Sequence, residues 1–153
     1  MRLNTAGTLF KILAVIALLM SLGAFFMPYI AGISGFDTFK ATIEYGSSEA
    51  WTELIFYIIG PMVLLVIAAF ILVGNTNNGG CIAVIVLSVI ALVLYLYPID
   101  FRFSEAFEYM GWGYKLTLIS CICGIVFPVL IMICGRDKGG SRAYTMEDDF
   151  HNR

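Results

Sequence analysis

Four stretches of this chain, 8–27, 54–73, 81–97 and 116–134, hold one charged residue between them, Lys11. At 1.5 Å per helical residue each covers roughly 25 to 30 Å, about the hydrocarbon thickness of a bilayer. A soluble domain has nowhere to put several such runs. Of the 153 residues 60% are hydrophobic and 13% charged, where soluble domains keep roughly a quarter charged. Backbone N–H and C=O groups inside lipid must be paired within one segment or around a closed barrel. The runs lack the ten-residue alternation of barrel strands, so they select helices. The fold class expected is an all-α membrane protein, a four-helix transmembrane bundle over 1–134, followed by a polar, flexible tail over 135–153.

The direction of insertion follows from Lys and Arg, which short cytoplasmic segments retain. Arg2 and Lys11 lie at the N-terminal end, and Arg136, Lys138, Arg142 and Arg153 in the tail. The connections 28–53 and 98–115 hold Lys40, Arg102 and Lys115 against the acids Asp37, Glu44, Glu49, Glu53, Asp100, Glu105 and Glu108. Both termini are therefore expected in the cytoplasm and these two loops outside. A cleavable signal peptide is the rival reading of the first span, with Ile12 to Met20 as its apolar core and Ser21 and Gly23 before Ala24. The run continues through Phe25, Phe26 and Met27, which favours a span that stays. A net charge of -2 leaves no nucleic-acid footprint.

In the first loop Phe39, Ala41, Ile43 and Tyr45 alternate with polar residues, and in the second Ile99, Phe101 and Phe103 do the same. A period of two with aromatic and β-branched types reads as strand, so a small two-stranded exterior β element is expected from 39–45 paired with 99–103. Ser48-Glu49-Ala50-Trp51 and Ser104-Glu105-Ala106-Phe107 follow these segments as helix starts, a Ser cap and an acid in the first turn. With Pro28 and Pro98 just beyond spans one and three, the order span, proline, strand, Ser-Glu-Ala-aromatic, span occurs twice, a weak signal of a tandem repeat because helix caps also recur by chance.

Pro61 and Pro128 inside spans two and four predict kinks, with Gly124 leaving room for the second ring. Ala17 with Ser21, and Ser120 with Gly124, are small-xxx-small pairs and predict close packing of spans one and four. No Asp, Glu, Arg or His lies deep in a span, and the single histidine, His151, is in the tail. An ion-coupled carrier lacks its intramembrane carboxylate, a Ser or Cys nucleophile lacks a base, and a histidine-bound metal lacks ligands. No enzyme activity, cofactor or metal is expected. Cys81, Cys121, Cys123 and Cys134 fall within or at the cytoplasmic ends of spans and read as small hydrophobes rather than loop disulfides.

Phe25, Phe26, Met27, Pro28 and Tyr29, followed by Gly32, Ile33, Ser34, Gly35, Phe36 and Asp37, resemble a pattern in small bacterial four-span membrane proteins of unassigned activity. The resemblance covers about a dozen residues and the topology, and it implies a bacterial cytoplasmic membrane. The layout is also similar to claudin-type tetraspan proteins in architecture alone, since Trp51 has no accompanying loop cysteines.

The function expected is a non-catalytic interaction or accessory subunit embedded in the lipid bilayer. It would bind a membrane or exterior protein, or a second copy of itself, through Phe36, Phe39, Tyr45, Trp51, Phe101, Phe103, Phe107, Tyr109 and Trp112. The alternative is a subunit of a small oligomeric transporter or channel, which needs a polar path through the membrane, and for that path the sequence offers only Ser21, Ser88, Thr117 and Ser120 as candidates.

Overall fold

A computed structural model describes residues 3–30, 32–97, 108 and 110–135. Among the described residues four helical segments are long and apolar enough to cross a membrane, which makes the chain a multi-pass membrane protein. The first is α1 (Thr5–Ala24). A hairpin of β1 (Pro28–Ile30) and β2 (Ile33–Ser34) leads into a short helix, α2 (Gly35–Tyr45). The second span, Ser48–Gly74, is composite: α3 (Ser48–Leu54), a π-helical turn (Ile55–Ile59) and α4 (Gly60–Gly74). Then come α5 (Asn78–Leu96) and α6 (Trp112–Cys134).

Each spanning helix starts a few residues before its apolar stretch, and at the first two a side-chain cap fixes the start. Asn4 caps α1, its side-chain oxygen accepting from the Gly7 N–H at 2.7 Å. The second span starts six residues before its apolar run, at Ser48, with Ser47 as the cap: its hydroxyl accepts from the Ala50 N–H at 3.3 Å. The helix start read at Ser48 is therefore displaced by one residue, and Glu49 still lies in the first turn.

The helices pack in a ring, α1 against α4, α4 against α5, α5 against α6 and α6 back onto α1, the last pair being the most extensive. Small side chains line the interior. Ala14, Ala68, Ala69, Cys81, Ala91 and Cys121 are buried with Leu18, Leu65, Leu72, Val84 and Ile131, while Leu9, Ile16, Ile67, Phe70 and Ile133 point outward. That distribution suits lipid as solvent, since tails compete with large apolar side chains and only close backbone approach favours helix over lipid. At the end where α1 begins and α6 stops, Asn4 ties the ring shut: its N–H donates to Gly135 O at 3.0 Å and its amide to Cys134 O at 2.8 Å. Lys11 donates to Val73 O at 2.9 Å at the same end, satisfying an orphan carbonyl of α4.

Among the described residues there is a two-stranded sheet, and neither of its strands is the 39–45 segment. β1 and β2 are antiparallel, pairing Pro28 with Ser34 and Ile30 with Ile33. Gly32, at φ 80°, occupies the left-handed region a turn this tight requires. Residues 39–45 are helical, not a strand, and this removes one strand from the first copy of the supposed repeat. The physical reason is at the start of the segment. Ser34 and Asp37 form a reciprocal capping box, which commits the following residues to helix before their alternation can matter. Residues 98–107, with the second expected strand, Phe101, Phe103 and Phe107, lie outside the described residues, as do Tyr109 and the tail from 136.

Pro61 sits just after the π-helical turn. Its ring nitrogen has no hydrogen to donate, and the Gly60 N–H before it reaches back five residues to Ile55 O, widening the turn that the ring would otherwise crowd. Pro128 is buried within α6. Gly124, one turn earlier, also makes room for neighbouring helices, because a Cβ there would lie 2.9 Å from Leu18 Cδ2 and collide with the Ser88 hydroxyl.

Candidate interaction surface at the hairpin end

The C-terminus of α1, the hairpin, α2, α3 and the N-terminus of α6 meet at one end of the bundle. The Phe36 N–H donates to Phe25 O at 3.1 Å and the Gly111 N–H to Tyr29 O at 2.7 Å, so both connections are sewn to the hairpin region. In the capping box the Asp37 N–H donates to Ser34 Oγ at 3.0 Å, while the Asp37 carboxylate accepts from the Ser34 hydroxyl at 2.7 Å and from its N–H at 3.1 Å. These two donors from Ser34 hold the Asp37 carboxyl below its usual 3.8. A folded value below the unfolded one contributes stability that is complete above the unfolded value and lost as pH falls through the folded one. We expect the protection of the amides over 35–45, relative to their intrinsic exchange rates, to fall on acidification below about pH 4, and an Asp37→Asn variant to lose that dependence. Equal pH dependence in both proteins would contradict the box.

Three rings gather beside it. Phe25 and Phe26 meet edge-on at 5.5 Å, and Phe36 lies 5.5 Å from Phe26 and 6.4 Å from Phe25. The Lys40 ammonium is 6.0 Å from the Phe36 ring centre, at the limit of a cation–π contact.

Further in, Tyr29 of β1, Tyr95 of α5 and Tyr114 of α6 form a buried cluster with Leu118. Tyr95 stacks on Tyr114 at 4.6 Å and meets Tyr29 edge-on at 6.1 Å. The Tyr29 hydroxyl is 3.3 Å from Thr117 Oγ1, whose own hydrogen goes to Gly113 O at 3.0 Å, so Tyr29 is the donor. Burial raises the Tyr29 phenol above its ordinary 10, which keeps it a donor at any physiological pH. The hydroxyls of Tyr95 and Tyr114 are buried without a protein partner. A buried polar group left so costs about 1–3 kcal/mol. Tyr95→Phe should therefore melt at or above the parent temperature in detergent, and Tyr29→Phe below it by about 1 kcal/mol of stability. A larger loss in Tyr95→Phe than in Tyr29→Phe would mean that the Tyr95 hydroxyl is engaged.

Of the aromatic residues expected to bind a partner, Phe36 is exposed at the start of α2, Phe39 is half-buried, Tyr45 is 87% exposed and Trp51 is half-buried on α3. Trp112 is 68% exposed at the start of α6, with the Lys115 ammonium 5.4 Å from its ring. Only Phe36 joins the Phe25–Phe26 cluster; no ring contact among the described residues links Tyr45, Trp51 or Trp112 to it. Sequence reasoning missed Phe25, Phe26, Tyr29 and Tyr95 as a group, although their signal was visible as aromatics concentrated at the ends of spans. A further stack, Tyr57 on Tyr97 at 5.8 Å, borders a shallow apolar groove lined also by Phe56, Val93 and Leu94, beside the π-helical turn.

Ala17, Ser21, Ser120 and Gly124 are all buried. Ser21 donates to Leu18 O at 2.7 Å and Ser120 to Leu116 O at 2.9 Å, each within its own helix. The four cysteines are not joined in disulfides; Cys81 and Cys121 are buried, the Cys81 thiol donating to Thr76 O at 3.7 Å, and Cys134 is exposed. Among the described residues no group of His, Cys, Asp or Glu could hold a metal ion. Compared with family models, curated proteins and solved structures, the chain matches none.

Proposed function

We propose that the chain is a non-catalytic subunit of the bacterial cytoplasmic membrane that binds another protein through its hairpin end, with that end outside and both termini in the cytoplasm. The single observation that carries the reading is the exposure of Tyr45 and Trp112 at this end, above a frame that hydrogen bonds fix in place. Large aromatic side chains bind partners at low entropic cost, and interfaces are enriched in them. The sidedness rests on the excess of Lys and Arg near the termini and of acids in the two long connections. Transport needs a polar path, and three of the four hydroxyls available for one, those of Ser21, Thr117 and Ser120, donate to carbonyls of their own helices. Liposome flux that saturates and disappears in Ser120→Ala would favour that alternative.

Purification in mild detergent followed by mass spectrometry tests the binding role: a stoichiometric membrane or exterior partner, or a defined homo-oligomer, is the expected result. A monomer with no crosslinked neighbour in intact cells would overturn it. Sidedness has its own test. In a background without the native cysteines, Ser47→Cys should react with an impermeant thiol reagent added to intact cells, and Asn77→Cys only after lysis; the reverse pattern inverts the topology.

A further inference from the structure

Helix α2 divides its surface three ways, although it touches the rest of the protein along one side only. At about 100° per residue, Gly35, Thr38 and Thr42 share the side that meets the protein; Gly35 and Thr42 are buried and Thr38 is half-buried. Roughly a quarter turn away lie Phe36 and Ile43, 39% and 57% exposed, with half-buried Phe39 between them and the protein side. Beyond them comes exposed Lys40, and then Asp37 and Glu44, both fully on the outside. An apolar flank, a basic border and an acidic flank thus follow in order around one short helix. A helix in water has no use for exposed Phe36 and Ile43 on one line; the Phe25 and Phe26 rings cover Phe36 only in part, and Ile43 is 57% exposed.

The depth of this flank is fixed by its neighbour. Phe26 lies two residues beyond the first span, Thr5–Ala24, is 65% exposed on the outer surface of the bundle, and its ring is 5.5 Å from that of Phe36. Phe26 therefore joins the exposed apolar surface at the end of α1 to Phe36, and Ile43 lies on the same side of α2 two turns on. We propose that α2 lies in the headgroup layer of the outer leaflet, with the line of Phe36 and Ile43 sunk among the upper acyl chains, Lys40 level with the lipid phosphates and Asp37 and Glu44 in water. The occupant of this flank is lipid. Burial of apolar side chains supplies the adhesion, and the Lys40 ammonium, already over the Phe36 ring, sits where an anionic headgroup lies. The acids do not oppose this arrangement, because they occupy the far side of the helix, where the Asp37 carboxylate is already engaged by Ser34. This goes beyond the proposed binding role and holds with or without a protein partner; it assigns Phe36 to lipid and leaves Tyr45 and Trp112 for protein.

The test uses the full chain in vesicles of phosphatidylcholine and phosphatidylglycerol. Nitroxides are placed one at a time through Phe36→Cys, Ile43→Cys, Glu44→Cys and, as a lipid-facing reference within α4, Phe70→Cys, with the native cysteines replaced. Collision with dissolved oxygen reports lipid, and collision with a water-soluble nickel chelate reports water. The oxygen-to-nickel ratio should be several-fold higher at positions 36 and 43 than at 44, approaching that at 70. A ratio at 43 equal to that at 44 overturns the proposal, and so does low collision with both agents at 43, which would mean that a protein or a second copy covers it. If the cysteine-free background folds poorly, Ile43→Trp with Trp51→Phe and Trp112→Phe keeps all four cysteines. Its fluorescence should then be quenched by lipids brominated near the headgroup end of the chain, and the absence of quenching would again count against the proposal.

Discussion

Gly124→Leu should cost the bundle about 3 kcal/mol, near the upper end of what overpacking a close contact entails. The position is where three helices approach: a Cβ built there stands 2.9 Å from Leu18 Cδ2 of α1 and 3.0 Å from Ser88 Cβ of α5. Neither neighbour can withdraw cheaply, since Leu18 and Ser88 are themselves fully buried. Loss of folded signal on titration with a denaturing detergent measures the effect. Gly23→Leu is the control, because nothing lies within 4 Å of a Cβ at Gly23 and a helix gains rather than loses when Gly is replaced. The hydroxyl of Ser88, which has no protein partner, supplies a second readout. Ser88→Ala alone should be neutral or mildly stabilising, and combined with Gly124→Ala it should recover part of the loss caused by Gly124→Ala alone, a coupling expected only between groups in contact. Gly124→Leu that unfolds with the parent protein would show that the three helices do not meet there.

The spans were legible because lipid imposes one rule on long stretches: no charge, and every backbone group paired within the helix. Small residues at Ala17, Ser21, Ser120 and Gly124 were legible for a related reason, since close backbone approach is the main attraction a helix can offer another in lipid. The segment at the hairpin end obeys no such rule. There Phe39, Ala41, Ile43 and Tyr45 satisfy a period of two, while Phe36, Phe39 and Ile43 equally satisfy helical spacing, and short runs do not separate the two. The deciding signal was local, Ser34 followed three residues later by Asp37, a capping pair in which Asp replaces the more familiar Glu or Gln. The tyrosine cluster was out of reach for a different reason. Tyr29, Tyr95 and Tyr114 come from three elements widely separated in sequence, and nothing short of the ring order of the helices brings them together.

Thr42→Pro turns that ambiguity into a measurement. Thr42 lies inside α2 and is buried, its hydroxyl donating to Thr38 O at 2.8 Å and its carbonyl accepting from the Gly46 N–H at 2.9 Å. Proline at this position removes the backbone donor and drives its ring against the carbonyl of Thr38, four residues back. In a helix interior the two effects together cost about 3 kcal/mol. The last turn of α2 should then open, taking with it the contact between α2 and α3. Thr42→Val separates this from the loss of the side chain, since valine keeps the shape and the backbone donor and forfeits only the hydroxyl's bond, about 1 kcal/mol. We expect Thr42→Pro to lower helicity by circular dichroism and to expose the backbone after Lys40 to trypsin, with Thr42→Val close to the parent in both. A strand over 39–45 whose Thr42 N–H faced away from its partner would tolerate the proline, and so would an irregular loop. Two variants alike in helicity and in resistance to trypsin would therefore remove α2, and with it the headgroup-layer placement that rests on its three-sided surface.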